Sequence, residues 1–106
     1  MSDGSAADPG EVTEDAMLDG RLRLVQPRKG HRAGSDAVLL AAACGEVGGE
    51  TVADFGAGVG AVGLMVAARH PACRVVLVEN DPGLAALARR NVALNGFEGR
   101  MDVCEA

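Results

Sequence analysis

Residues 52–60 read Val-Ala-Asp-Phe-Gly-Ala-Gly-Val-Gly, and residues 76–82 read Val-Leu-Val-Glu-Asn-Asp-Pro. Each opens on a short apolar run, and one βα unit separates the two. Few folds accept a strand, a glycine-rich turn, an apolar helix and a second Val-rich strand in that order. Strands joined by such a crossover pair in parallel, and the helix between them covers the sheet.

The rest of the second half extends this pattern. Thr51–Phe55 is a short apolar strand interrupted by one acid, Asp54. The run 60–70 is apolar on most sides, as a helix packed on a sheet is, and Pro71 ends it. Residues 74–79 form the second strand, Val-rich as buried parallel strands are. Pro82 takes the first turn of the next helix, where its missing N–H costs nothing. Leu84, Leu87, Ala88 and Val92 share one face of that helix, with Arg89 and Arg90 more outward. Asn95-Gly96 stops it, and residues 100–104 begin a third strand. The order βαβαβ predicts an α/β fold, half of a doubly wound, Rossmann-like parallel sheet.

Upstream, residues 1–13 are rich in Ser, Asp, Gly, Ala, Pro and Glu and lack the apolar groups to offset ordering, which predicts a flexible acidic tail. Residues 20–26 alternate as a half-buried strand does. A basic loop spans 27–34, and Ser35 or Asp36 can cap a helix over 37–43, closed by Gly45, Gly48 and Gly49. The expected organisation is therefore a tail (1–13), a strand-loop-helix extension (14–50) and a ligand-binding half-domain (51–106).

The net charge of −5 hides an asymmetry. Residues 1–19 hold six acids and no Lys or Arg, whereas 21–32 hold five basic residues plus His31 and no acid. An acidic mean thus leaves room for a local polyanion site at Arg28, Lys29 and Arg32. A solvated surface is the competing reading of that loop. His31 has no evident acid/base partner. No apolar run is long enough to span a membrane, and the N-terminus lacks the pattern of a secretory signal, so a cytoplasmic protein is expected. Cys44, Cys73 and Cys104 show no metal-ligand spacing and read as reduced, half-buried small apolar residues. Phe55 and Phe97 read as packing residues.

The glycines do not choose a ligand alone. Gly56, Gly58 and Gly60 allow a tight turn and close approach beside exposed helix N–H groups. Residues 58–63 match GxGxxG and 56–61 match GxGxxA, both dinucleotide fingerprints. No Lys follows, which argues against a P-loop. Asp54 tips the balance. Near a pyrophosphate a carboxylate is costly. Near the ammonium and sulfonium of S-adenosylmethionine it is favourable. The competing reading of Asp54 is a structural acid satisfying loop amides. Glu79 ends the second strand, where α/β sheets bind ligands, and can accept both ribose hydroxyls. NAD and FAD sites use the same acid.

Residues 54–60 (Asp-Phe-Gly-Ala-Gly-Val-Gly) resemble the first motif of class I S-adenosylmethionine-dependent methyltransferases, and 78–82 (Val-Glu-Asn-Asp-Pro) their ribose-binding motif. Residues 88–96 resemble the helix that follows. Residues 22–40 are similar to the segment before the core in bacterial tRNA (adenine-N6)-methyltransferases, which modify the adenine beside the anticodon of a valine tRNA. The resemblance implies S-adenosyl-L-methionine as cofactor, held by Gly34, Asp36, Asp54, Gly56, Ala57, Gly58, Gly60, Glu79 and Asn80. It implies tRNA or another RNA as partner, with Arg28, Lys29 and Arg32 on the substrate side, and no metal. Methylation of rRNA or of a protein glutamine shares the same core and stays open, as does a flavin or nicotinamide module.

The family's fourth motif, Asn/Asp-Pro-Pro-aromatic, holds the target amine and stacks on the base. No Asn-Pro occurs here and there is no Tyr or Trp, so no residue is assigned to catalysis. The resemblance therefore implies the N-terminal part of a longer enzyme, and a non-catalytic fragment is a further reading.

Overall fold

A computed structural model describes residues 11–29 and 51–106. The strands are β1 (Val12–Met17), β2 (Leu22–Pro27), β3 (Thr51–Phe55), β4 (Arg74–Glu79) and β5 (Met101–Glu105), and the helices are α1 (Ala61–Arg69) and α2 (Pro82–Leu94). β3, β4 and β5 form a parallel sheet in that order, with Thr51 opposite Arg74, Phe55 opposite Val78, and Glu79 opposite Glu105. The βαβαβ unit expected from the spacing is present. The third strand starts one residue late and reaches Glu105.

Local chemistry explains the helix ends. The Asp81 carboxylate accepts from the Leu84 amide at 3.1 Å, and Pro82 follows at the first helical position of α2. Gly96 leaves that helix with φ 73°, the left-handed stop expected of Asn95-Gly96. The C-terminus of α1 is capped from a distance. Arg100 donates to the carbonyls of Ala67 at 2.6 Å and Cys73 at 3.2 Å, and its guanidinium lies 4.7 Å from the Phe97 ring centroid.

Strand β1 was not expected. It pairs antiparallel with β2, from Val12 opposite Pro27 to Met17 opposite Leu22, so the proposed end of the tail at residue 13 falls inside a strand. Asp19 (φ 55°) and Gly20 (φ 83°) make the turn, and the Arg21 amide donates to the Leu18 carbonyl at 3.1 Å. An Asp-Gly pair with positive φ at both positions is a strong hairpin signal. β1 itself is a poor strand former, with Glu14 and Asp15 at its centre. It is held by β2: Glu14 pairs with Arg23 at 2.8 Å and Asp15 accepts from Gln26 at 2.8 Å.

Leu22, Leu24 and Val25 of β2 join the core built by α1, β4, α2 and β5. Residues on both faces of β2 are buried, more than a half-buried strand requires. Two further expectations fail. Phe55 is 78% exposed, and Cys104 is exposed while Cys73 is buried. Strand alternation explains Phe55. Asp54 turns toward α1, so the next side chain must leave on the opposite face of β3.

Candidate functional site

The loop 56–60 sits where β3 and β4 end. Its backbone bonds are almost all made to neighbours that fix its shape. The amides of Gly56 and Ala57 donate to the Val78 carbonyl at 2.8 and 3.0 Å, which ties the loop to β4. The Gly60 amide donates to the Ala57 carbonyl at 3.0 Å. Gly60 has φ 94°, and a Cβ there would lie 2.8 Å from Leu77 Cδ1, so only glycine suits the position.

Glu79 is the second fastener. It is 7% exposed. One carboxylate oxygen accepts from the Gly58 amide at 2.7 Å, the other from the Asp81 amide at 2.9 Å. Charge-assisted bonds of this kind are short and strong. Each oxygen keeps a further lone pair for a ligand hydroxyl. The acid at the strand end is therefore a fixed acceptor, not a solvated side chain.

Asp54 lies on the α1 side of β3, with its carboxylate beside Gly63 in the first turn of α1. The approach depends on Gly63 itself. A Cβ there would run into Leu77 and Val75, so glycine lets α1 lie close to β4. Gly60, the N-cap, offers no side chain, and the Asp54 carboxylate lies beside the same helix end. Burial is the main effect that raises its pKa above the usual 3.8; the Gly63 amide opposes this and the Glu79 charge adds to it. Two carboxylates around one glycine loop favour a cationic ligand. A dinucleotide pyrophosphate at this helix N-terminus would lie close to the Asp54 carboxylate, which is costly.

Of the residues expected at the site, Asp54, Gly56, Ala57, Gly58, Gly60 and Glu79 come together at the ends of β3 and β4, with Asn80 exposed beside Glu79. Gly34, Asp36, His31 and Arg32 lie outside the described residues. Arg28 and Lys29 are exposed just after β2, and Arg28 pairs with Glu11 at 3.1 Å. Among the described residues, no group of three His, Cys, Asp or Glu side chains is placed to hold a metal, and no helix is long and apolar enough to cross a membrane.

Two residues with no assigned role prove structural to the site. Gly63 is one; the last glycine of GxGxxG was its signal. Asn91 is the other. It is 0% exposed on α2. Its carboxamide accepts from the Val25 amide at 2.7 Å and donates to the Val25 carbonyl at 2.9 Å and to the Val59 carbonyl at 3.0 Å. Its signal was a polar residue four positions after Leu87, on the apolar face.

Pyrococcus horikoshii TYW2, solved in complex with MeSAdo, superposes with a TM-score of 0.70 at 22% identity, covering 89% of this chain and 35% of that one. The fold is Rossmann-like and matches part of the class I methyltransferase fold. The chain belongs to the methyltransferase small domain family, which matches residues 32–106. Among curated relatives, the Aeromonas hydrophila tRNA1(Val) (adenine(37)-N6)-methyltransferase is 38% identical over 76 residues, covering 71% of this chain and 32% of the relative. The Pseudomonas putida ribosomal RNA small subunit methyltransferase C is 35% identical over 95 residues, covering 86% of this chain and 28% of the relative. The chain spans about a third of the length of these relatives.

Proposed function

We propose that the chain binds S-adenosyl-L-methionine and serves an N-methyltransferase that acts on the exocyclic amine of an adenine in tRNA. One observation carries the cofactor: the Asp54 carboxylate lies beside the α1 N-terminus while Glu79 stands fixed beside the same loop. This arrangement disfavours a pyrophosphate and suits a cationic nucleoside. Glu79 and Asn80 hold the ribose. Gly56, Ala57, Gly58 and Gly60 present backbone to the amino-acid part, and Asp54 favours its positive charge. Gly34 and Asp36 contribute from before the core. Bound S-adenosylmethionine supplies a methyl group on a positively charged sulfur. The protein's task is to align it with the amine and exclude water.

Arg28, Lys29 and Arg32 contact RNA phosphates in this reading, and the working compartment is the cytoplasm. The relatives named as tRNA adenine methyltransferases support tRNA as acceptor. The relative named as a small-subunit rRNA methyltransferase supports a second reading, an rRNA amine. Ultraviolet crosslinking with methyl-tritiated S-adenosylmethionine tests the cofactor. Labelling should be displaced by S-adenosylhomocysteine and not by NAD; displacement by NAD alone contradicts the proposal. Filter binding of tRNA against a small-subunit rRNA transcript separates the two acceptors.

A further inference from the structure

Strand β2 has two edges. One pairs with β1, and the amide of Arg28 donating to Glu11 at 2.8 Å continues that ladder. The other edge is taken by side chains of α2. Asn91 brackets the N–H and C=O of Val25, as above. Asn95, one helical turn on, does the same to Arg23, accepting from its amide at 2.8 Å and donating to its carbonyl at 2.7 Å. The spacing matches: four helical residues rise about 6 Å, and two strand residues span roughly 6.6 Å. Asn95 spends its second donor within its own helix, on the Asn91 carbonyl at 2.7 Å. Asn91 has a second donor, and it reaches the Val59 carbonyl in the glycine loop at 3.0 Å.

We propose that Asn91 is a positioning residue for the cofactor loop, through which the β1–β2 hairpin and the loop are held in one arrangement. The inference rests on the cofactor reading above for its consequence in binding. The Val59–Gly60 peptide is gripped from both sides, its carbonyl by Asn91 and its N–H by Ala57. A loop so held keeps its backbone in one shape around the proposed ligand site, and the strand that leads into the basic segment at Arg28 and Lys29 shares the same carboxamide. Asn91 is fully buried and uses both donors, so no solvent replaces the bond if it is lost.

The test compares Asn91→Asp and Asn91→Ser with Asn95→Asp in the full chain. Asp at 91 can still accept from Val25 but loses both donors; Ser keeps a hydroxyl if Asp does not fold. Amide exchange of Gly58 and Gly60 is followed by NMR without ligand. Both Asn91 variants should exchange faster at these amides, and Asn95→Asp should not. S-adenosylhomocysteine affinity should fall about ten-fold in the Asn91 variants, the weight of one buried neutral bond, and stay unchanged in Asn95→Asp. Wild-type exchange at Gly58 and Gly60 in a folded Asn91 variant overturns the proposal, whatever binds. Equal loss in the Asn95 variant also overturns it, since docking of β2 alone would then account for the effect. A wild-type chain that ignores S-adenosylhomocysteine contradicts the cofactor reading instead, and the exchange comparison still decides the role of Asn91.

Discussion

The carboxylate of Glu79, the last residue of β4, accepts from the amide of Gly58 at 2.7 Å and so fixes the glycine loop from the neighbouring strand. This one bond makes the acid part of the loop's support, in addition to the ribose contact proposed for it. Glu79→Ala should weaken S-adenosylhomocysteine binding by roughly 10–100-fold. It should also lower stability by about 1–3 kcal/mol, because the Gly58 amide is buried and loses its acceptor. Calorimetry and chemical denaturation measure the two effects separately. A variant of unchanged affinity would remove Glu79 from the site.

Asp54 gives a pH signature. Its pKa in the fold is raised, chiefly by burial and further by the Glu79 charge, so the folded state favours the neutral acid. Its contribution to stability is then full below the usual carboxylate pKa and is lost as pH rises through the raised value. Asp54→Asn keeps the shape of the side chain beside Gly63 without the charge. It should melt above wild type at neutral pH, with the gap closing as pH falls toward about 4. It should also bind S-adenosylmethionine more weakly. Thermal melts across that range, paired with titrations, check both directions.

Gly63→Ala tests close packing. The added methyl meets Leu77 and Val75, and α1 must shift from the sheet. The expected cost is about 1–3 kcal/mol, measured by urea denaturation. A loss of cofactor affinity should accompany it, since Asp54 meets α1 at this residue.

The basic segment predicts a salt effect. Replacing Arg28 or Lys29 by Ala should weaken RNA binding and reduce the slope of log K against log salt by about 0.7 per lost contact with single-stranded RNA. Filter binding at several salt concentrations measures the slope. Slopes equal to wild type would return these residues to a solvated surface.

Much of this arrangement was legible in the residues. The bounds of β3 and β4, the Pro82 start and Asn95-Gly96 stop of α2, and the glycine loop all follow from local chemistry. What was missed depends on partners distant in the chain. β1 carries acids at its centre and exists because β2 pairs with it, although Asp19-Gly20 marked its turn. Phe55 was read by type, and strand alternation set by Asp54 overrode type. Asn91 shows in the sequence only as a polar residue on an apolar helix face, because its partners Val25 and Val59 lie 66 and 32 residues away.

In the proposed site, two carboxylates around one glycine loop should take a cationic nucleoside and reject a pyrophosphate. Calorimetric titration of the chain with S-adenosylhomocysteine and with NADH, under one buffer, tests it most directly. Saturable binding of S-adenosylhomocysteine with no heat from NADH is the predicted result. Binding of NADH with none of S-adenosylhomocysteine would contradict the account.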